Sequence, residues 1–277
     1  MHYKSNKLKT LGPQAAHLVV MLYEKNKPIF RLKEVQKILR IDEVSSRSFI
    51  RKLVNRGIVT RLKPGLFILV PFELGKETEY IGNPFVVARE IMDGKGYFLS
   101  HATAMDIHQE VTQPQLVVNV TTLKPRRSIT ALGIEFRFIH NQKKYFFGIS
   151  DHWVTKQERV KVSNLERTII DGLKKPEYCG GLTEVAKGLW IRQQDINVSR
   201  LISYAMKIGV GAVIRRLGFL LEFYKIGTSN DWEILFSHLT DTYVRLDPLL
   251  PPEGKYLRKW KLQRNVSPEE LKSVVST

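Results

Sequence analysis

The sequence predicts an α+β chain in two parts: a helical segment closed by a hairpin over residues 1–72, and a mixed α/β region over residues 83–277 that becomes mainly helical. Three amphipathic helix patterns and a Pro-Gly turn between β-rich runs follow one another before residue 72. Short β-rich runs at 96–100, 115–122 and 134–139 then mix with helix starts, and beyond Leu165 helical spacing prevails. The 277 residues, 43% of them hydrophobic, suffice for two cores of ordinary domain size.

The first helix begins at Pro13, because a missing N–H costs nothing in the opening turn. Leu11, Ala15, Leu18, Val19 and Leu22 recur at helical spacing, and the polar run 24–27 with Pro28 stops it. A second, short helix over 33–39 buries Val35, Ile38 and Leu39. After the link 40–44, with Asp42 and Ser45 both able to cap, a third helix spans 45–56 and ends at Gly57. On it, Phe49, Ile50, Leu53 and Val54 form an inward stripe. Ser48, Arg51, Lys52 and Asn55 face the other way, flanked by Ser45 and Arg47. Residues 58–70 make two β-rich runs around Pro64-Gly65, a hairpin signal with Arg61 and Lys63 toward its tip. Helix, helix, basic helix, basic hairpin is the order of a winged helix-turn-helix.

Charge follows the same division. The chain carries 44 Lys+Arg against 27 Asp+Glu, a net +17. Residues 1–72 hold 15 of the bases and four of the acids (Glu24, Glu34, Asp42, Glu43), so +11 lies in the first quarter. Between Val44 and Phe72 stand six bases (Arg47, Arg51, Lys52, Arg56, Arg61, Lys63) and no acid. An ordinary soluble surface mixes both signs, whereas a segregated basic face suits phosphates. The expected partner is therefore double-stranded DNA. Ser45, Arg47, Ser48, Arg51 and Asn55 would read bases in the major groove, while Lys52, Arg61 and Lys63 would hold backbone phosphates. A protein-contact module is the bland alternative. Membrane binding is disfavoured, because the apolar face of the basic helix is needed by its neighbours.

Several classes are excluded or weakened. A single cysteine, Cys179, allows no intramolecular disulfide framework and is expected to be a packing residue. The first ten residues lack the apolar core of a signal peptide, and no apolar run approaches the ~20 residues of a membrane span. The chain reads as soluble and cytoplasmic, with no internal repeat or low-complexity segment.

An acidic, glycine-bearing linker is expected at 73–82, followed by a helix at 84–92 capped by Asn83 and a helix start at 101–107. Residues 143–148 read as a further strand. Later helices are expected at 165–173, 183–190, 198–206, 210–223 and 232–239.

Candidate chemistry in this second part is sparse. His101, Asp106 and His108 lack an i, i+4 pair and a completing carboxylate, so no metal site is expected. Glu166 and Asp171 are five apart on one helix, about 140° apart in direction, a poor shared acid–base pair. Glu166 is expected to pair with a base such as Arg167 or Arg215. Asp171 is expected to tie down the Gly180-Gly181 turn. No serine elbow, paired-metal signature or kinase motif is present. The expectation is a non-enzyme without cofactor; the alternative is a nuclease or modifying enzyme targeted to DNA. Two further basic patches, Lys124/Arg126/Arg127 and Lys255/Arg258/Lys259 with Lys261 and Arg264, are either extra phosphate contacts or solvated faces, with Trp260 anchoring the second.

The ordered patterns SHATAMDIHQEVTQPQLVVNVTT, FRFI, YFFG, VSNLERTIIDGLKKPEYCGGLTEV, RRLGFLLE and RLDPLLPPEGKYLRKWKLQRN resemble the AbiEi family of antitoxin-repressors from abortive-infection (type IV toxin–antitoxin) operons. The resemblance spans residues 10–266, and its most specific part is the block Leu165 to Asp171 with Pro176 and Gly180-Gly181. Gly65-Leu66-Phe67 departs mildly from the family's wing. The resemblance implies an autorepressor acting at inverted repeats in its own promoter. Its functional partner would be a nucleotidyltransferase-like toxin, countered without a stable complex.

Overall fold

The computed structural model describes residues 9–110 and 116–274. It divides into two compact units, one comprising the chain to Lys95 together with Ser128–Phe136, the other Gly96–Arg127 and the chain from Arg137. The architecture is α+β in both sequence order and content.

The first unit opens with helix α1 (Pro13–Glu24), strand β1 (Ile29–Arg31), α2 (Leu32–Leu39), α3 (Glu43–Asn55), β2 (Val59–Lys63) and β3 (Leu66–Leu69). Asp42 caps α3, its carboxylate accepting the Ser45 N–H at 2.8 Å. The three strands form an antiparallel sheet in the order β1-β3-β2. The short β1 goes unseen in periodicity, since three residues offer no alternation; it is a strand because Ile29, Phe30 and Arg31 pair with Ile68, Phe67 and Leu66. A register shift between Arg61 and Lys63 marks a bulge in β2. Leu18, Leu22, Phe30, Val35, Ile50, Leu53 and Phe67 meet in one core. Ile38 and Leu39, expected buried, are half-buried at its margin.

Residues 73–82 do not swing free. Tyr80 N–H donates to Thr60 Oγ1 at 2.9 Å, and a Cβ at Gly57 would come within 2.6 Å of the Thr78 side chain. Helix α4 (Pro84–Ile91), capped by Asn83, follows. The sequence boundaries at 72 and 82 therefore fall inside the first unit.

The second unit begins with β4 (Tyr97–Leu99), α5 (His101–Ile107) and β5 (Val117–Thr122); residue 115 of the anticipated strand lies outside the described residues. The chain then returns to the first unit for β6 (Ile129–Ala131) and the start of β7 (Ile134–His140), which pair antiparallel. With β8 (Ile149–Trp153) and β9 (Arg159–Ser163), the second unit's strands run β7-β5-β4-β9-β8, β4 and β9 being parallel. The strand anticipated at 143–148 is instead a 3-10 turn (Lys143–Tyr145) leading to Gly148, and strand pairing starts only at Ile149. A Cβ on Gly148 would meet Arg167 Cβ at 2.8 Å, so this stretch is shaped by the helix beneath it.

Helices α6 (Leu165–Lys174), α7 (Leu182–Ile191), α8 (Val198–Ile208), α9 (Gly211–Phe223) and α10 (Ser229–Phe236) bury Ile169, Leu182, Leu201, Leu217 and Leu220 in a second core. A small sheet of β10 (Val244–Arg245), β11 (Lys255–Leu257) and β12 (Leu262–Arg264), then α11 (Pro268–Ser273), adds Leu246, Trp260, Leu262, Val266 and Leu271. Trp260 fits because residue 218 is glycine: a Cβ there would lie 2.0 Å from its indole ring.

Candidate nucleic-acid interface

On α3 the inward stripe and outward face separate as the spacing predicts. Ile50 and Leu53 are buried, Phe49 and Val54 half-buried, and Ser45, Arg47, Ser48, Arg51, Lys52 and Asn55 all exposed. Ser46 is the one polar residue of the helix turned fully inward; its hydroxyl donates to Asp42 O at 2.7 Å. Between α3 and the β2–β3 turn lies a cleft of about 610 Å³, walled by Arg47, Arg51 and Asn55 on one side and Arg61 and Pro64 on the other, with Val54 and Phe67 along it.

The candidates are not equally available. Ser45 Oγ donates to Asp42 Oδ2 at 2.7 Å, so this hydroxyl is engaged in the cap. The same Ser45 donors hold the exposed Asp42 carboxyl below its usual range. Arg47 pairs with Glu43 one turn earlier. Lys63 is half-buried and its ammonium reaches Ile91 O at 3.5 Å, back toward the end of α4. Arg56, basic in sequence, grips the Thr10 carbonyl and hydroxyl. Arg51, Lys52, Asn55 and Arg61 are left exposed and, among the described residues, without ion-pair partners. Asp42 and Glu43 at the start of α3 make that end unfavourable to phosphate, so the electropositive ground is the later part of the helix and the cleft.

In the second unit, Lys124, Arg126 and Arg127 are exposed in the loop after β5. Lys255 and Arg258 are exposed, while Lys259 pairs with Glu222. Glu222 also accepts the Trp260 indole N–H at 2.6 Å. Burial opposes ionisation there, yet these two partners hold its carboxyl below the usual glutamate range. Trp260 is buried in the helical core, the anchoring role expected of it.

Two anticipated pairings are corrected. Glu166 accepts the Asn197 N–H at 3.0 Å and lies 3.5 Å from Arg200 Nη1, not beside Arg167 or Arg215. Arg215 bonds Thr240 instead. Asp171 does not secure the glycine turn. It pairs with Arg167, both side chains buried, with Nε–Oδ2 and Nη2–Oδ1 each 2.9 Å. The guanidinium lies 4.4 Å from the centre of the Phe147 ring. The turn, with Gly180 and Gly181 at φ +83° and +108°, is held by Asp247, whose Oδ2 accepts the Leu182 N–H at 2.9 Å.

His101, Asp106 and His108 do not act together. His108 Nε2–H donates to Ser163 O at 2.7 Å. Asp106 is raised by partial burial. His101 is 3% exposed, and burial lowers its pKa to about 4. Its Nδ1 bonds Ser100 Oγ, which in turn bonds Thr121 Oγ1. His101 and Asp171 do, however, line one cavity of about 240 Å³ with Lys174 and Lys175, a grouping that sequence reasoning missed. The two lysines close a helix and read as ordinary complements of its C-terminal carbonyls. Among the described residues, no three of His, Cys, Asp and Glu are grouped to hold a metal. Cys179 is buried in the core, which pushes its thiol up.

No family model matches the chain, and no curated protein does. Among solved structures, the crystal structure of the RV2827C protein from Mycobacterium tuberculosis is similar, with a TM-score of 0.72 and 15% sequence identity over 98% of this chain and 97% of that one. At that identity the likeness is one of fold: the two proteins share an α+β architecture along nearly their whole lengths.

Proposed function

We propose that the chain is a sequence-specific DNA-binding repressor, and the antitoxin of a type IV toxin–antitoxin operon. The observation that carries the first half is the exposed basic face of α3 formed by Arg51, Lys52 and Asn55, without ion-pair partners among the described residues, beside the Arg61 side of the hairpin. The order α1, β1, α2, α3 and a hairpin supports reading this unit as a winged helix, with α3 in the major groove and the hairpin on the backbone. Arg51 and Asn55 are the first candidates for base contacts, a guanidinium suiting guanine and an amide suiting adenine. Lys52 and Arg61 take phosphates. The antitoxin half rests on the family resemblance of the second part. It carries the expectation of inverted-repeat operators and of a nucleotidyltransferase-like toxin opposed without a stable complex.

The test is titration of the protein against its own upstream DNA and against scrambled duplex. Arg51→Ala should cost about 1–3 kcal/mol on the operator and little on scrambled DNA. Equal losses on both would remove base reading by Arg51. Co-expression with the neighbouring gene, scored for growth rescue and for co-purification, tests the antitoxin half. A tight complex would favour direct toxin binding instead.

An enzyme targeted to DNA keeps one supporting observation, the shared cavity of His101 and Asp171. Against it, Asp171 is engaged by Arg167, and Glu166 is held by Asn197 and Arg200.

A further inference from the structure

The cavity beside β7 and the end of α6 gathers charged and hydrogen-bonding side chains around one small space. His101, Asn141, Gln142, Tyr145, Lys174 and Lys175 line it with Asp171. Its only acid, Asp171, is already neutralised by the buried Arg167. Among the described residues, neither Lys174 nor Lys175 has a carboxylate within ion-pair distance; their ammonium groups lie against the rings of Tyr145 and Tyr178, at 4.7 and 5.3 Å. With Asp171 engaged by Arg167, the lining carries a net positive charge. Lys174 is half-buried, and burial lowers its pKa, with Asp171 only partly offsetting this. His101, almost fully buried, uses Nδ1 on Ser100, and its Nε2 makes no hydrogen bond to the described residues. The Asn141 and Gln142 side-chain amides make no hydrogen bond to the described residues, so each adds a free donor and acceptor.

We propose that this cavity binds a small phosphate-bearing anion. Two lysines act as point charges suited to a dianion, where a planar carboxylate would call for the fork of an arginine. Neutral imidazole and amide groups supply directed hydrogen bonds without adding charge. At about 240 Å³ the space is smaller than the 300–1,000 Å³ usual for drug-sized ligands, so the ligand is compact. The shared chemistry is the phosphate group, and its source is either inorganic phosphate or a small phosphate monoester.

Calorimetric titration of the full chain in phosphate-free buffer tests this, using inorganic phosphate, ribose 5-phosphate and acetate as probes. Saturable one-to-one binding of phosphate is expected, with Lys174→Gln and Lys175→Gln each weakening it about tenfold or more. Arg51→Ala in the first unit should leave it unchanged. Tighter binding of ribose 5-phosphate would identify a monoester ligand; equal or weaker binding would identify free phosphate. Absence of saturable binding to both phosphate probes would overturn the proposal, as would unaltered affinity in both lysine variants. So would acetate binding as well as phosphate does. Because both lysines are only partly buried, the variants should keep the parent unfolding midpoint, and that measurement separates lost binding from lost folding.

Discussion

Arg51 on α3 and Arg167 on α6 are the same side chain in opposite surroundings. Arg51 stands in solvent with no ion-pair partner among the described residues, and the helix beneath it is secured by Ile50 and Leu53. Arg167 is fully buried between Asp171 and Phe147, in a helix where Glu166, Thr168 and Asp171 are buried too. Exposed charge costs the fold little and is free for a partner. Buried charge must be offset by a partner within the fold, so it is tied to the fold and lost to recognition.

The sharpest way to break this comparison is to remove one member of the buried pair. Asp171→Ala should destabilise the chain by about 3–5 kcal/mol in urea unfolding, because it strands the Arg167 guanidinium. Arg51→Ala should change stability by no more than about 0.5 kcal/mol while costing DNA affinity. Comparable losses of stability in the two variants would erase the distinction. Gly218→Ala tests the same core by shape alone: the added methyl meets the Trp260 ring, and a loss of about 3 kcal/mol is expected, read from the unfolding midpoint.

Glu110 sharpens the comparison from the acid side. It is fully buried, and neither carboxyl oxygen has a hydrogen-bond partner among the described residues. Burial pushes its pKa well above the usual value, with Arg192 only partly offsetting this. The folded state therefore holds the proton more tightly than the unfolded chain. Its contribution is complete below the unfolded glutamate pKa, about 4.3, and is lost as pH rises through the higher folded value. Glu110→Gln should flatten the pH dependence of unfolding across that window, by at most about 1.4 kcal/mol per pH unit. Parallel curves for the two proteins would show the carboxyl to be solvated. The smallest effect belongs to Lys52→Ala, which should weaken operator and scrambled DNA alike and lower the salt slope of binding by about one.

Much of the first unit was legible because its signals are local. Pro13, the Asp42 cap, Gly57 and Pro64-Gly65 all lie beside what they punctuate, and each element stands within about two residues of its expected place. The outward face of α3 was legible for the same reason. The short strands β1, β6 and β10–β12 were not, since two or three residues carry no period and pair with distant ones. The partners in the second unit were misread for a related reason. Charge on a helix reads as an outward face, yet α6 is enclosed on all sides, and Glu166 and the glycine turn find their partners at Arg200 and Asp247, 34 and 65 residues on.

The hairpin of β6 and the start of β7 has a consequence for synthesis. It completes the first unit with residues 128–136, although that unit's main run ends at Lys95. At roughly 5–20 residues per second, a ribosome needs about 2–8 s to go from Lys95 to the end of that hairpin at Phe136. For that interval the emerging first unit lacks its last strands, with β2 not yet covered by β6. A nascent chain is thus kept from its finished shape until the second unit is under way, which couples the birth of the two halves of the molecule.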